Sequence, residues 1–249
     1  MDLLVASLAE RPDLAPLLDG FPNGWPEFMY QDPVAPLYYD VAVEAYPAFC
    51  LVAVDRQAPE RAVAKAHSVP LAWPHDPAER LPAGWDDVVL LATADRVAGR
   101  QTNLVSALEI CVQPDLRGTG LSAVMVDAMR RNVARLGYRS LVAPVRPSGK
   151  HAYPDVPMAE YAARRREDGL PVDPWLRVHE RAGGRILRVA PRSMAIPGTL
   201  AEWRQWTGLP FDASGPVHVP LALTPAHCDV THDHAVYIEP NVWVHHQLG

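Results

Sequence analysis

The segment ICVQPDLRGTGLS, residues 110–122, constrains the fold of this chain more than any other stretch. An apolar run ends at Pro114, and Arg117 with two glycines then leads into an apolar sequence that begins at Leu121. This order predicts a strand, a glycine turn and a helix. Such a turn directs several backbone N–H groups to one point at the positive end of the helix, which suits an anion such as a pyrophosphate.

The turn does not match the common nucleotide-binding motifs. No Lys-Ser or Lys-Thr pair follows Gly120, as a Walker motif would require. Two glycines are also too few for the dinucleotide pattern G-x-G-x-x-G. Taken alone, Arg-Gly-Thr-Gly is equally well explained as a plain turn, so its surroundings must decide between the two interpretations.

The flanking sequence predicts an α+β fold around this turn. Residues 104–112 and 140–145 are apolar runs typical of buried strands. Between them, residues 122–136 place apolar side chains at helical spacing and are followed by Gly137, a helix-ending residue. Strand, helix and strand in this order predict a parallel strand pair with a right-handed crossover.

The rest of the chain shows further elements but neither an internal repeat nor a domain boundary. Strands are predicted at residues 48–54, 62–69, 185–189, 193–196 and 236–246, and helices at 158–167, 174–182 and 200–206. Residues 70–87 contain four prolines and predict a long ordered loop with room for one helical turn.

The chain is therefore interpreted as one domain, 1–249, with two additions. Residues 146–172 form a long excursion between a strand and the next core element, and such excursions are usually functional. Residues 216–249 are interpreted as a C-terminal β extension. Its apolar strand could pair across a homodimer.

Composition limits the expected partners and location. The formal net charge is −6 and no long basic run is present, so nucleic acid is not expected as a partner. No apolar segment approaches the ~20 residues that cross a bilayer, and the N-terminus lacks a basic signal-peptide region, so we expect a soluble, cytoplasmic protein. Three widely spaced cysteines predict no disulfide framework. Lys65 and Lys150 are the only lysines, which together with abundant Ala and Pro indicates a G+C-rich, bacterial genome.

The segment EICVQPDLRGTGLSAVMVDAMRRNVARLGYRSL resembles the acyl-CoA-binding core of the GNAT superfamily of N-acetyltransferases, where R-x-x-G-x-G/A joins a strand to an amphipathic helix. Ser122 departs from that pattern at its last position. The resemblance is strong over residues 104–145 and looser over 173–196. It implies α/β/α layers around a mixed, mostly antiparallel sheet with a splayed parallel strand pair.

The resemblance also implies acetyl-CoA as cosubstrate, without a metal. Backbone N–H groups of the turn would hold the coenzyme A pyrophosphate, and the preceding strand would pair with the pantetheine. The implied coenzyme A-binding residues are Ile110, Cys111 and Val112 on the strand and Arg117, Gly118, Thr119, Gly120, Leu121 and Ser122 in the turn.

Acetyl transfer to an amine requires proton handling at two places. An alkyl ammonium, with a pKa of ~10.4, must lose a proton, and the departing thiolate must gain one. By the resemblance, Glu109 is the candidate base, although a strand residue could also face away or bind an arginine. His179 occupies the position where the superfamily often has a tyrosine that acts as the general acid. It could instead simply form a hydrogen bond within the packing of the helix. Tyr153 and Tyr161 are alternative donors, and Tyr153 and Trp175 are predicted to contact the acceptor.

The leading hypothesis is an acetyl-CoA-dependent N-acetyltransferase that acts on a small-molecule amine by direct transfer through a ternary complex. Two alternatives stay open: a non-catalytic acyl-CoA sensor, and acyl transfer to a hydroxyl or to water. The histidine-rich stretch HCDVTHDH, residues 227–234, fits no closed zinc spacing, and no metal site is expected there.

Overall fold

The structure is a computed structural model that describes residues 1–22 and 24–249. Its strands are β1 (Leu3–Ser7), β2 (Cys50–Asp55), β3 (Ala58–Leu71), β4 (Leu104–Val112), β5 (Ser140–Val145), β6 (Arg185–Gly198), β7 (Gly215–Val217), β8 (Ala226–Asp229) and β9 (His234–Gln247). Its helices are α1 (Pro36–Tyr39), α2 (Ala42–Ala45), α3 (Trp85–Val97), α4 (Leu121–Arg135), α5 (Met158–Ala163), α6 (Pro174–Arg181) and α7 (Leu200–Thr207). Short 3-10 segments lie at Pro12–Leu18, Glu27–Gln31, Pro47–Phe49, Pro114–Leu116 and Lys150–Ala152.

All the strands of the described part belong to one mixed sheet. Their order is β1-β2-β3-β4-β5-β9-β8-β7, and β6 pairs with β9. The pairs are antiparallel except β4 with β5. The predicted fold class, a mostly antiparallel sheet with one parallel pair, is therefore confirmed.

Helices cover both faces of this sheet. Helices α3 and α7 and the N-terminal turns pack on one face, while α4, α5 and α6 pack on the other. Residues of β2 alternate between the two apolar clusters, because successive strand side chains point to opposite faces. Both faces of this strand are thus buried, which gives the layered α/β/α arrangement.

The parallel pair opens part-way along its length. Strands β4 and β5 are paired only around Ser106. Leu108 is then inserted as a β-bulge, because its neighbours Ala107 and Glu109 pair with consecutive residues of β3. Beyond the bulge the two strands diverge, and the outer half of β4 borders an open cleft.

Helix α4 begins and ends at glycines. Gly120 precedes it with a φ of 91°, and Gly137 follows it with a φ of 92°. These left-handed conformations suit glycine, which has no Cβ to clash. The predicted turn, helix and strand around residues 117–145 are all present.

Helix α3 was missed in the sequence. The predicted loop over residues 70–87 ends at Gly84, and a helix of 13 residues begins at Trp85. Its buried positions include the adjacent pair Val88 and Val89, and Leu90 next to them is exposed. The run of consecutive apolar residues hides the helical period, so this stretch carries no clear sequence signal.

The C-terminal strand lies inside the sheet. Strand β9 pairs with β6 along one edge and with β8 and β5 at the two ends of the other edge. Pairing of this strand across a homodimer, which the sequence suggested, is therefore wrong, because its edges are already occupied. The two strands predicted at 185–189 and 193–196 are one strand, β6, with an irregular register between Ala190 and Met194.

The insertion at residues 146–172 is anchored by a buried lysine. The Nζ of Lys150 donates to the carbonyl oxygens of Tyr153 and Leu223, each at 2.6 Å. It thereby ties the insertion to the loop before β8. No helix in the described ranges is long and apolar enough to cross a membrane.

Candidate active site

The glycine turn presents unpaired backbone donors. The N–H groups of Gly118, Gly120, Leu121 and Ser122 have no hydrogen-bond acceptor among the described residues. A Cβ built on Gly118 or Gly120 would meet nothing within 4 Å, so the space in front of the turn is open. Free donors at the start of a 15-residue helix form an anion site in which backbone can approach a phosphate closely.

A cavity of about 580 Å³ runs from this turn into the opening between β4 and β5. We call it the thioester cleft. Its wall includes residues 107–112 of β4, the end of β5, and Arg117 and Ser122 of the turn. On the opposite side it is bordered by Trp175, Val178 and His179 of α6. Five of the nine coenzyme A residues proposed from the sequence line this cleft, and the other four belong to the turn between Arg117 and Ser122: the five are Ile110, Cys111, Val112, Arg117 and Ser122.

A second cavity, of about 310 Å³, adjoins the cleft. We call it the aromatic pocket, because its wall contains Trp25, Tyr30, Tyr39 and Trp85. It also contains Lys65, Asp40 and two methionines. Four residues border both cavities: Trp25, Trp85, Glu109 and Met194. The two cavities therefore meet at Glu109.

Glu109 is buried and paired with a cation. Its Oε1 lies 2.8 Å from the Nζ of Lys65, and its side chain is only 2% exposed. Burial acts to raise the pKa of Glu109, but the neighbouring His67, the ion pair with Lys65 and the hydrogen bond that the Cys111 thiol donates to Oε2 hold this pKa below its ordinary value. Glu109 is therefore a carboxylate at neutral pH. The β3–β4 pairing, which sets His67 opposite Glu109, brings these groups together.

His179 is buried among aromatic rings, an environment that does not favour the protonated imidazolium expected of a general acid. Its Nδ1 is 3.0 Å from the Nε2 of His246, and its ring packs edge-on against Trp175. Burial, followed by the neighbouring His246, lowers the pKa of His179 to about 3. A neutral imidazole at pH 7 can donate a hydrogen bond, but it does not supply a proton as an imidazolium would.

The remaining candidate site residues differ in whether they border the two cavities. Trp175 borders the thioester cleft, whereas Tyr153 is exposed on the insertion and borders neither cavity. Tyr161 donates to Asp173 at 3.0 Å, and burial raises its pKa. Cys111 borders the cleft, and burial and the nearby Glu109 raise the pKa of its thiol, so it is a poor nucleophile.

Several residues of the site were not found in the sequence. Lys65 and His67 lie on a strand whose apolar surroundings gave no sign of a polar cluster. One signal was available: Lys65 and Lys150 are the only lysines, and both are buried. His246 was assigned to a terminal strand, and no local pattern connects it to His179.

The described residues contain no group of three or more His, Cys, Asp or Glu side chains that could hold a metal ion. The polar groups at the junction are instead one carboxylate, one ammonium and neutral imidazoles. Such a set can bind an amine, accept a proton and orient a carbonyl, which are the steps of acyl transfer.

Comparison with known proteins gives one sequence relative and a fold. No protein-family model matches the chain. The chain is 32% identical, over 96% of its length and 92% of the other protein, to an arginine N-acetyltransferase of Aspergillus versicolor.

Among solved structures, the loading GNATL domain of CurA from Lyngbya majuscula is similar in fold, with a TM-score of 0.60, 19% identity and coverage of 99% of this chain and 97% of that one. The GphF GNAT-like decarboxylase, solved with isobutyryl-CoA, has a TM-score of 0.52 at 17% identity, with both chains covered in full.

Proposed function

Because the chain belongs to the GNAT superfamily of N-acetyltransferases, we propose that it transfers the acetyl group of acetyl-CoA directly to a small-molecule amine in the aromatic pocket. It is an N-acyltransferase by its relationship to the arginine enzyme. One observation carries the finer proposal: the thioester cleft and the aromatic pocket meet at the carboxylate of Glu109. A donor in one cavity and an acceptor in the other would then react beside this group.

The thioester cleft suits coenzyme A for two reasons. The free N–H groups of the turn at Gly118–Ser122 match a pyrophosphate. Among the described residues, the backbone of β4 beyond Leu108 has no partner on the β5 side, so a pantetheine could pair with it as an added strand. A protein of similar fold was solved with an acyl-CoA, which agrees with this assignment.

The aromatic pocket suits an amine that also carries a cationic side chain and an α-carboxylate. Its aromatic walls and Asp40 favour a cationic side chain through cation–π contacts and charge. Lys65 offers a positive charge to an α-carboxylate. The sequence relative is named as an arginine enzyme, and arginine has both groups. We therefore propose arginine or a closely similar cationic amino acid as the acceptor.

The reaction balances without a covalent enzyme intermediate. The neutral amine attacks the thioester carbon, the C–N bond forms, and the C–S bond breaks with its electron pair on sulfur. The proton lost by the nitrogen passes to Glu109, directly or through water, and from there to solvent. Holding both reactants in adjoining cavities supplies much of the rate enhancement, since effective molarities in such arrangements reach ~10⁵ M or more.

The test is product analysis with pure protein, acetyl-CoA and a panel of amines. The panel contains arginine, lysine, agmatine, which lacks the carboxylate, and a neutral amino acid. We expect the highest kcat/KM for arginine, with a loss for agmatine and a larger loss for the neutral amino acid. Coenzyme A binding without acetylation of any amine would favour the sensor, and thiol release without an acetylated amine would favour hydrolysis.

We propose three further assignments. Residues 1–249 are taken as one acyltransferase domain, because all its described strands share one sheet. The cytoplasmic location and bacterial source follow from composition, and the sequence relative is fungal. None of these affects the chemistry at Glu109.

A further inference from the structure

A buried histidine pair lies at the wall of the thioester cleft. His179 on α6 and His246 on β9 are 4% and 0% exposed, and their facing ring nitrogens are 3.0 Å apart. Trp175 packs against the ring of His179 with centroids 4.6 Å apart. The other nitrogen of His179, Nε2, has no hydrogen-bond partner among the described residues. Because His179 borders the cleft, this nitrogen is the one available to a ligand there.

The far end of the pair lies near the charge of Arg130, on helix α4. In the described part of the chain, the Nδ1 of His246 and the Nε of Arg130 are both sealed from solvent without a hydrogen-bond partner. Both side chains reach the turn between α6 and β6. A Cβ on Gly183 would lie 3.8 Å from the Nη2 of Arg130, and a Cβ on Gly184 would lie 2.6 Å from the Cε1 of His246.

The unpartnered donor and the unpartnered ring nitrogen complement each other. A guanidinium has only donors, whereas an unprotonated imidazole nitrogen accepts. Burial and the charge of Arg130 both lower the pKa of His246, to about 4, so this ring carries one proton at neutral pH. A proton on the buried Nδ1 would be a donor without an acceptor and near the cationic Arg130, so the single proton of His246 belongs on Nε2, where the ring of His179 can accept it.

The direction of the remaining hydrogen bonds then follows. The Nε2–H of His246 donates to the Nδ1 of His179, so the single proton of His179 is on its Nε2. We propose that Arg130 and His246 are positioning residues that hold His179 in the Nε2–H tautomer, so that His179 donates a hydrogen bond to the sulfur of bound acetyl-CoA. This inference rests on the proposed function for its ligand, but the tautomer itself does not.

The hydrogen bond would act on the leaving group. As the C–S bond breaks, negative charge develops on sulfur, and a fixed N–H dipole stabilises it without a proton being transferred. The thiolate then takes its proton from water. A neutral histidine in a buried site can perform this role. It cannot act as the general acid that the resemblance implied for this position.

The tautomer can be measured by NMR of protein with isotope-labelled histidine, because protonated and unprotonated ring nitrogens have separate chemical shifts. In the wild type at pH 7, His179 and His246 are both expected to carry the proton on Nε2. In Arg130→Met the proton distribution on these rings should change. A proton on the Nδ1 of either ring in the wild type overturns the proposal, whether or not the protein acetylates an amine.

Activity measurements then test the role of the tautomer. Arg130→Met and His246→Leu should lower kcat about tenfold, the equivalent of one hydrogen bond to the transition state, with the KM for acetyl-CoA nearly unchanged. His246→Gln, whose amide can still donate to His179, should recover part of the rate. Unchanged kcat in the folded Arg130→Met variant overturns the catalytic part of the proposal.

The control is His245→Gln. His245 precedes His246, but its Nε2 lies 3.1 Å from the hydroxyl oxygen of Ser140, and among the described residues it makes no hydrogen bond to His179 or His246. This variant should leave both the tautomer and kcat as in the wild type. If the wild type acetylates no amine, the NMR result still decides the tautomer, so failure of the proposed function and failure of this inference remain separate.

Discussion

At the residue scale, the site depends on how Glu109 is held. A carboxylate with a lowered pKa is a weak base, so its first contribution is to attract and orient an ammonium group. Its position between the two cavities would place it beside both proposed reactants. Lys65 keeps Glu109 ionised, and its positive charge could also attract the α-carboxylate of the proposed acceptor.

We expect Glu109→Gln to lower kcat by ~10²-fold or more, the usual range for loss of an acid–base group. Affinity for coenzyme A should change little, because the glycine turn is untouched. The buried Lys65 loses its counter-charge, so thermal unfolding must be measured on the same sample. Glu180→Gln is the matched control, since Glu180 pairs with Arg165 away from both cavities. Equal losses in the two variants would contradict the role of Glu109.

The pH dependence of kcat/KM follows from the same pKa. Because the Glu109 carboxyl is already ionised above its lowered pKa, it adds no limb near neutral pH. The rate should instead rise with pH as the ammonium of the free acceptor, with a pKa of ~9–10, loses its proton. Rate profiles for two acceptors with different amine pKa values check this. An inflection that stays at one pH for both acceptors would assign the limb to the enzyme.

At the element scale, α4 connects the anion site to the core through its two glycine ends. Gly120 and Gly137 have nearly the same left-handed φ, and neither has a neighbour within 4 Å of a built Cβ. They differ in what lies beside them, since only Gly120 belongs to the turn with free N–H groups. A substitution at Gly137 can therefore serve as the control for the same substitution at Gly120.

Alanine at either glycine should cost about 1–2 kcal/mol in the free energy of unfolding, because each φ is unfavourable for a residue with a Cβ. Only Gly120→Ala should also raise the KM for acetyl-CoA, by about tenfold, because its methyl group enters the space of the phosphates. Thermal unfolding and coenzyme A titration measure the two effects. An equal loss of coenzyme A affinity in Gly137→Ala would show that the loss reflects backbone strain alone.

Some of the elements could be predicted from the sequence and others could not. The turn, α4 and the flanking strands could be predicted because local chemistry determines them: positive-φ glycines, helical spacing and short apolar runs. The family and fold class predicted from Arg117–Ser122 are confirmed. Helix α3 was missed because four apolar residues in a row, Val88 to Leu91, carry no period. The aromatic pocket was missed because Trp25, Tyr39 and Trp85 meet only in the folded chain.

At the scale of the whole molecule, four buried histidines with lowered pKa values make stability depend on pH, and three of them, His67, His179 and His246, have the largest shifts. Burial is the first cause in each case, and the pKa is lowered to about 4 for His67 and His246 and to about 3 for His179. An unfolded imidazole has a pKa of ~6.5. Between these values the unfolded chain binds more protons than the folded chain, so stability is complete above pH ~6.5 and is lost as the pH falls.

The three histidines should together lower the free energy of unfolding below pH ~6 by up to about 4 kcal/mol per pH unit, since each contributes about 1.4. Asp86, whose pKa is raised by burial to about 8, acts in the opposite direction and offsets about 1.4 of this, which leaves a net slope of up to about 3 kcal/mol per pH unit. Denaturant unfolding at several pH values measures this slope. His67→Gln should reduce it by about 1.4 kcal/mol per pH unit, whereas replacement of the exposed His232 should not change it. A wild-type slope near zero between pH 6 and 5 would mean that these rings are protonated in the folded state.

The central claim is direct transfer between adjoining cavities that meet at Glu109. The most direct measurement is a time course by mass spectrometry with isotope-labelled acetyl-CoA and arginine, following the small molecules and the intact protein together. Labelled acetylarginine should appear in step with free coenzyme A, while the mass of the protein stays unchanged at every time. Labelled protein that forms first and is then consumed would contradict direct transfer, and free coenzyme A without acetylated amine would contradict the proposed reaction itself.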